Sequence, residues 1–268
     1  MKIPFVQIDA FVLSESKGRP FNGNPAAVMP LDAWLDDDVL QAIASENNLS
    51  ETAFLVPDTT GASDYELRWH TPAAEVALCG HATLASGHYV LAQDATRDRV
   101  RFRTRQAGVL EVAREGDGYT VSLPAWRPSP KVMPEIVAAL GVEAVDTLWH
   151  DKGYALVIVA DEAAVRAAAP DGRALKALGP VVHIVSASGE NTDVVSRVFT
   201  DYFDIPEDPV TGSAHAVMVP YWAERLGRNT MTAFQASARG GNLTCELAGD
   251  RVILGGRCVT VIEGVFLV

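Results

Sequence analysis

The sequence predicts a mixed α and β fold built from two similar domains. Three observations carry that prediction. Most apolar segments are short and read as strands. Two helices rich in small residues each open on a glycine, Gly80 and Gly212. An Arg-x-aromatic-Thr strand end precedes both: Arg68-Trp69-His70-Thr71 lies ahead of Cys79-Gly80-His81-Ala82, and Arg197-Val198-Phe199-Thr200 lies ahead of Thr211-Gly212-Ser213-Ala214. Identity between the halves is low, but the matching order of elements makes duplication the better reading. Two such domains imply a cleft between them, a preferred place for a ligand.

Taken in order, residues 3–13 alternate as a strand, and 25–30 form a short apolar run after the turn-forming Phe21-Asn22-Gly23-Asn24. Residues 36–47 place Val39, Leu40, Ile43 and Ala44 at helical spacing after an acidic first turn. Strands follow at 51–56 and 65–71, then a buried helix at 80–92, and a meander at 101–114 (turning at Gly108) and 118–123. Pro124-Ala125-Trp126-Arg127-Pro128-Ser129-Pro130 reads as an extended linker that cannot continue a sheet. The second half repeats the plan. Strands near 147–150 and 154–160 precede a helical patch at Asp161, strands follow at 181–187 and 194–200, and a helix runs over 212–226. Strands at 230–237, 242–247, 250–254 and 257–267 finish the chain. The expected domains are 1–124 and 131–268, with the last strand a candidate to cross to the first.

Composition excludes several function classes. Of 268 residues, 22 are Lys or Arg and 34 are Asp or Glu, a formal net charge of −12. So acidic a chain is a poor binder of phosphate backbones, so no nucleic-acid partner is expected. The longest clean apolar run, Tyr154–Ala160, is far short of the ~20 residues a membrane span requires. The start of the chain lacks the apolar core of a signal peptide. Three cysteines, Cys79, Cys245 and Cys258, are too few and scattered for a disulfide framework or zinc site. The six histidines show no zinc spacing, and no phosphate-binding or dinucleotide fingerprint is present, so neither metal nor cofactor is expected. These features describe a soluble, cytoplasmic protein acting on something small.

A helix start leaves backbone N–H groups unpaired and carries partial positive charge, so Gly80 and Gly212 head two candidate anion sites. A lone glycine of this kind more often only eases a turn; the pairing, with His81 and Ser213 alongside, favours function. The densest polar cluster is Glu207-Asp208-Pro209-Val210-Thr211-Gly212-Ser213-Ala214-His215. N-capping accounts for one of its groups but not all. Glu51 opens an apolar strand, and its local context favours a solvated edge residue; burial would instead make it a general acid/base. Cys79, at a helix start where a thiol is acidified, fits a nucleophile or base, although a buried structural cysteine is commoner.

Four segments, Asn22-Gly23-Asn24-Pro25-Ala26-Ala27-Val28, Asn48-Leu49-Ser50-Glu51-Thr52-Ala53-Phe54, Leu78-Cys79-Gly80-His81-Ala82-Thr83-Leu84-Ala85 and Glu207–Ala214, together resemble the phenazine-biosynthesis PhzF-like family. Gln235-Ala236-Ser237-Ala238-Arg239-Gly240-Gly241 is a weaker match. The resemblance implies an α+β, diaminopimelate-epimerase-like fold: two pseudo-symmetric domains, each a β-barrel-like sheet around a central helix. It also implies a cofactor-independent isomerase that moves a proton between carbons of a small carboxylate-bearing metabolite, and a homodimer. By the same resemblance Glu51 is the acid/base, and His81, Asp208 and Ser213 bind or orient substrate and assist proton transfer. Gly80–His81 and Gly212–Ser213 are then carboxylate-binding helix starts. Racemases of the wider fold use two facing cysteines. Cys79 matches the first, and the second position falls at about Pro209, which cannot carry a proton. The alternatives are a Cys79-dependent epimerase or hydrolase and a non-catalytic ligand-binding member of the fold.

Overall fold

A computed structural model describes residues 1–13 and 21–268. The chain divides into two compact units. The first comprises Met1–Ser122 and Gly255–Val268, and the second comprises Leu123–Leu254.

Unit 1 begins with β1 (Lys2–Val12), β2 (Asn24–Pro30), α1 (Asp37–Asn47), β3 (Glu51–Pro57), β4 (Tyr65–His70) and the two-residue β5 (Glu75–Val76). Helix α2 (Gly80–Ala92), β6 (Arg99–Thr104), β7 (Val109–Glu115) and β8 (Gly118–Pro124) follow, and most of β17 (Arg251–Leu267) returns to this unit. The pairings run β1–β2–β3–β4–β6–β7–β8–β17 and back to β1, which closes a ring of eight strands. Closure leaves this ring no exposed sheet edge. Helix α2 packs against β1, β2, β3, β6 and β7, and every residue from Gly80 to Gly87 is buried. A helix apolar or small all round, rather than amphipathic, is what such a position requires. Small side chains matter because the barrel wall is close: a Cβ on Gly87 would stand 2.3 Å from Val112 Cγ1 and 2.5 Å from its Cβ.

Unit 2 contains β9 (Ser129–Pro130), α3 (Pro134–Leu140), β10 (Asp146–His150), β11 (Tyr154–Ile158), α4 (Glu162–Ala167), α5 (Gly172–Ala177), β12 (Val182–Ser188) and β13 (Val194–Thr200). It continues with β14 (Ile205–Glu207), α6 (Gly212–Leu226), β15 (Thr230–Gln235) and β16 (Gly241–Ala248). Its ladder repeats that of unit 1 pair for pair. β1–β2 is antiparallel, β2–β3 parallel, β3–β4 antiparallel and β4–β6 parallel across α2. β10–β11 is antiparallel, β11–β12 parallel, β12–β13 antiparallel and β13–β15 parallel across α6. The α+β class, with its duplicated strand-and-helix plan, is therefore the observed one.

Two local expectations are corrected. Ser129–Pro130, inside the supposed linker, pairs with Trp149 and Leu148 as a short strand, which proline tolerates where no N–H is needed from it. The strands expected at 250–254 and 257–267 form one continuous β17 through Gly255-Gly256. Gly256 lies so close to Phe11 that a Cβ would meet its ring at 2.4 Å, so the glycine pair permits close approach rather than a break.

Pro220 sits inside α6 without breaking it. Proline removes the N–H that would bond Ala216 O, a loss of ~3 kcal/mol in an ordinary helix interior. Here Trp126 N–H donates to Ala216 O at 3.0 Å and satisfies the orphaned carbonyl.

Gly87→Ala sets ~1 kcal/mol of gained helix propensity against an overpacking cost of ~1–3 kcal/mol. The clash is with the Val112 Cβ, which no rotamer change relieves, so the steric cost wins. The variant is expected to unfold at lower urea concentration with an unchanged slope; equal or higher stability refutes the tight fit of α2 in its barrel.

Candidate active site

In unit 1, three elements bring a carboxylate, a thiol and an imidazole together. Glu51 is the first residue of β3, in register with Ala26 of the parallel β2. Cys79 is the N-cap of α2, and His81 lies in its first turn. The donor atoms of Glu51, Cys79 and His81 all lie within 4.8 Å of one another. His81 Nε2 is 3.1 Å from Glu51 Oε2. On the other side of the ring, Nδ1 is 3.1 Å from Asn24 Nδ2 and 3.5 Å from Cys79 Sγ. The Glu51 side chain is only 15% exposed, so it is not the solvated edge residue its local context suggests.

Burial by itself disfavours an imidazolium at His81. The neighbouring Cys79 and Glu51 outweigh it, by charge and by hydrogen bonding, and raise the His81 pKa well above the ordinary value. The Cys79 thiol goes the other way from the acidified thiol its helix-start position suggests. Burial first, then the charge of Glu51, pushes it up to about 11. At neutral pH the Cys79 thiol therefore stays protonated.

In unit 2, Asp208 follows β14, and its N–H donates to Val198 O at 3.0 Å. Thr211, the N-cap of α6, makes no side-chain capping bond. Its hydroxyl instead donates to Asp208 Oδ2 at 2.5 Å, so capping does not explain the cluster. Gln235 ties this loop together. Its Oε1 accepts from Thr211 N–H at 2.8 Å, and its Nε2 donates to Asp208 O at 2.7 Å and lies 3.2 Å from Thr211 Oγ1. Ser237 Oγ donates to Pro209 O at 2.8 Å. Ser213 is buried in the first turn of α6, and His215 beside it hydrogen-bonds Thr211 O through Nδ1. Burial lowers the His215 pKa to about 4, so it stays neutral.

The repeat extends to the salt bridges that hold the two helix starts. Arg68 grips Glu75 in a two-point pair at 2.8 and 2.7 Å, and Arg197 grips Glu207 at 2.7 and 3.0 Å. Each glutamate lies four residues before the helix N-cap. This register makes Thr211, not Pro209, the counterpart of Cys79. The second position of a two-thiol arrangement thus holds a hydroxyl bonded to a carboxylate. Sequence reasoning missed Asn24, Thr211 and Gln235 as site residues. Their signal was present in the matched segments, but only the folded chain shows which side chains they face.

This architecture and these buried polar helix starts define an epimerase-like isomerase fold. A sequence profile of the phenazine biosynthesis-like protein family, PhzC-PhzF, matches residues 8–264, and the chain belongs to that family. An uncharacterised isomerase of Pseudomonas aeruginosa is 47% identical over 266 residues, covering 98% of each chain, and a second from the same organism is 46% identical over the same share. A PhzF-family crystal structure from Enterococcus faecalis superposes with a TM-score of 0.88 at 42% identity, covering all of both chains. A hydroxyproline epimerase from Agrobacterium vitis, at 12% identity and TM-score 0.66, covering 98% of this chain and 92% of that one, shares the fold. With its relatives, the protein is an isomerase. Among the described residues no helix is long and apolar enough to cross a membrane.

Two predictions follow from these networks. Gln235→Leu keeps volume but leaves the buried Thr211 N–H without its acceptor, a cost of ~1–3 kcal/mol; urea denaturation is expected to show that loss, and wild-type stability refutes the tethering role. The raised His81 pKa means that its contribution to stability is present below pH 6.5 and is lost as pH rises through the folded value. Histidine NMR should accordingly place the His81 midpoint above 6.5, and Glu51→Gln should lower it. A midpoint at or below 6.5 shows that burial, not Glu51, controls the ring.

Proposed function

We propose that this isomerase shifts a proton between carbons of a small carboxylate-bearing substrate, without a cofactor, using Glu51 as the group that takes and returns the proton. The observation that supports this best is the buried Glu51–His81 contact at 3.1 Å. The His81 ring lies against the Glu51 carboxyl and orients it. Glu51 removes a carbon-bound proton, the electron pair moves into the substrate's conjugated system, and the same carboxyl returns the proton to another carbon. Composition and oxidation state are unchanged, so no oxidant is required. A single positioned base typically contributes 10²–10⁴-fold, and holding the substrate in a reactive geometry contributes further.

The start of α2 at Gly80–His81, where the N-cap side chain makes no capping bond, suits a substrate carboxylate. By the family resemblance, Gly212–Ser213 serves the same purpose, and Asp208, His81 and Ser213 orient the substrate and assist proton transfer. Cys79, a neutral thiol at neutral pH, is assigned no proton-transfer step. The protein is further proposed to act as a homodimer, which sedimentation velocity tests.

Small cyclic and α-amino carboxylates that raise the melting temperature would be incubated with the protein in D₂O. Glu51→Gln is expected to bind such a ligand with similar affinity and to slow deuterium incorporation at least 100-fold, in line with the contribution of a positioned base. Cys79→Ala is expected to retain most exchange. Exchange at the wild-type rate in Glu51→Gln removes Glu51 from the mechanism, and a collapse in Cys79→Ala moves the chemistry to the thiol.

A further inference from the structure

The same buried cluster has a second chemical capacity. Glu51, Cys79 and His81 supply oxygen, sulfur and nitrogen, the donors that zinc-type ions take, and they are the one such trio among the described residues. A tetrahedral ion with a bond of about 2.3 Å to sulfur and about 2.0–2.1 Å to nitrogen separates those two donors by roughly 3.5 Å. Cys79 Sγ and His81 Nδ1 are already 3.5 Å apart. His81 Nε2 and Glu51 Oε2 are buried and face each other at 3.1 Å, so the third donor already lies against the ring.

We propose that Glu51, Cys79 and His81 form a reversible inhibitory site for a thiophilic divalent cation of the zinc class. Three protein ligands leave the fourth position to water or to a ligand group, the pattern of an open site. Binding forms metal–sulfur, metal–nitrogen and metal–oxygen bonds. The Cys79 proton leaves to solvent, since a coordinating thiol is deprotonated outright. Asn24 gives up its contact with Nδ1, and Glu51 turns to close the third bond. Hard, oxygen-seeking ions such as Mg²⁺ have little affinity for this donor set. The inhibition rests on the assignment of Glu51 as the acid/base; the site itself does not. An ion held there occupies the carboxylate and imidazole that the isomerisation needs. Cys79 then has a role that the proton transfer leaves vacant: it makes the site sensitive to metal.

Co²⁺ added to chelator-treated full-length protein tests the site without any substrate. The expected result is one equivalent bound, with the charge-transfer absorption of a cobalt–thiolate bond and the strong visible bands of tetrahedral cobalt. Zn²⁺ should displace it and Mg²⁺ should not. Cys79→Ser should abolish the charge-transfer band, and Glu51→Gln should weaken binding at least tenfold, whereas Cys258→Ser should change neither. A band that persists in Cys79→Ser, or no band in the wild type, overturns the site. In parallel, Zn²⁺ should stop deuterium exchange in the wild type over the range in which it displaces Co²⁺. If Co²⁺ binds as described while Glu51→Gln exchanges deuterium normally, the acid/base assignment falls and the metal site stands. If exchange depends on Glu51 but Cys79→Ser keeps the cobalt–thiolate band, the reverse holds.

Discussion

Everything in unit 1 depends on burying a whole helix inside a closed barrel. Residues Gly80–Gly87 of α2 have no face toward water, so the first turn cannot leave its N–H groups to solvent. The N-cap residue, Cys79, makes no side-chain capping bond of ordinary geometry. At the start of the helix, Glu51 and Asn24, brought by β3 and β2 in the register of the barrel, meet His81 of the first turn. A buried donor-rich helix end beside a carboxylate is costly for stability and useful for binding an anion.

The arginine–glutamate pairs place that end. Arg68 and Arg197 stand at the ends of equivalent strands and fix the glutamates four residues ahead of the two N-caps. Two-point guanidinium–carboxylate geometry orients as well as attracts, which a lysine could not reproduce. The Arg68 side chain is 3% exposed and also pairs with Asp37 at 2.9 Å, so removing Glu75 would leave a buried guanidinium with the exposed Asp37 as its remaining ion-pair partner rather than merely lose a surface bridge. The duplicated pair thus preserves the loop shape that delivers Cys79 and His81 in one unit and Thr211 and Ser213 in the other.

The two copies have diverged in chemistry while keeping this frame. One helix start carries thiol, imidazole and carboxylate; the other carries hydroxyl, carboxylate and a tethering glutamine. The first holds charge, with His81 favoured as imidazolium, whereas the neighbouring histidine of the second, His215, is held neutral by burial. The difference follows from what faces each ring, and His81 has Cys79 and Glu51 beside it. Glu51 faces His81, whereas Nδ1 of His215 meets only the Thr211 carbonyl and its Nε2 has no hydrogen-bond partner.

Sequence by itself determined the repeat, the strand and helix types and the segments in which chemistry would lie. Apolar periodicity and turn residues are local properties, and each half repeated them in the same order. The short elements β5, α3, α5 and β14 went unread, because too few residues show a period; β9 and the unbroken β17 escaped because proline and glycine usually interrupt strands and only neighbouring chain shows when they do not. Glu51 is the clearest division. Its neighbours in sequence describe an exposed edge, and its burial depends on α2, which begins 29 residues later. The trio of Glu51, Cys79 and His81 was equally hidden, since ligand spacing in sequence cannot reveal donors brought from a strand and a helix. The equivalence of Cys79 with Thr211 required the N-caps themselves, because loops of different length shift any count along the chain. Types of element are written in local pattern; which side chains meet is decided by closure of the barrel around its helix.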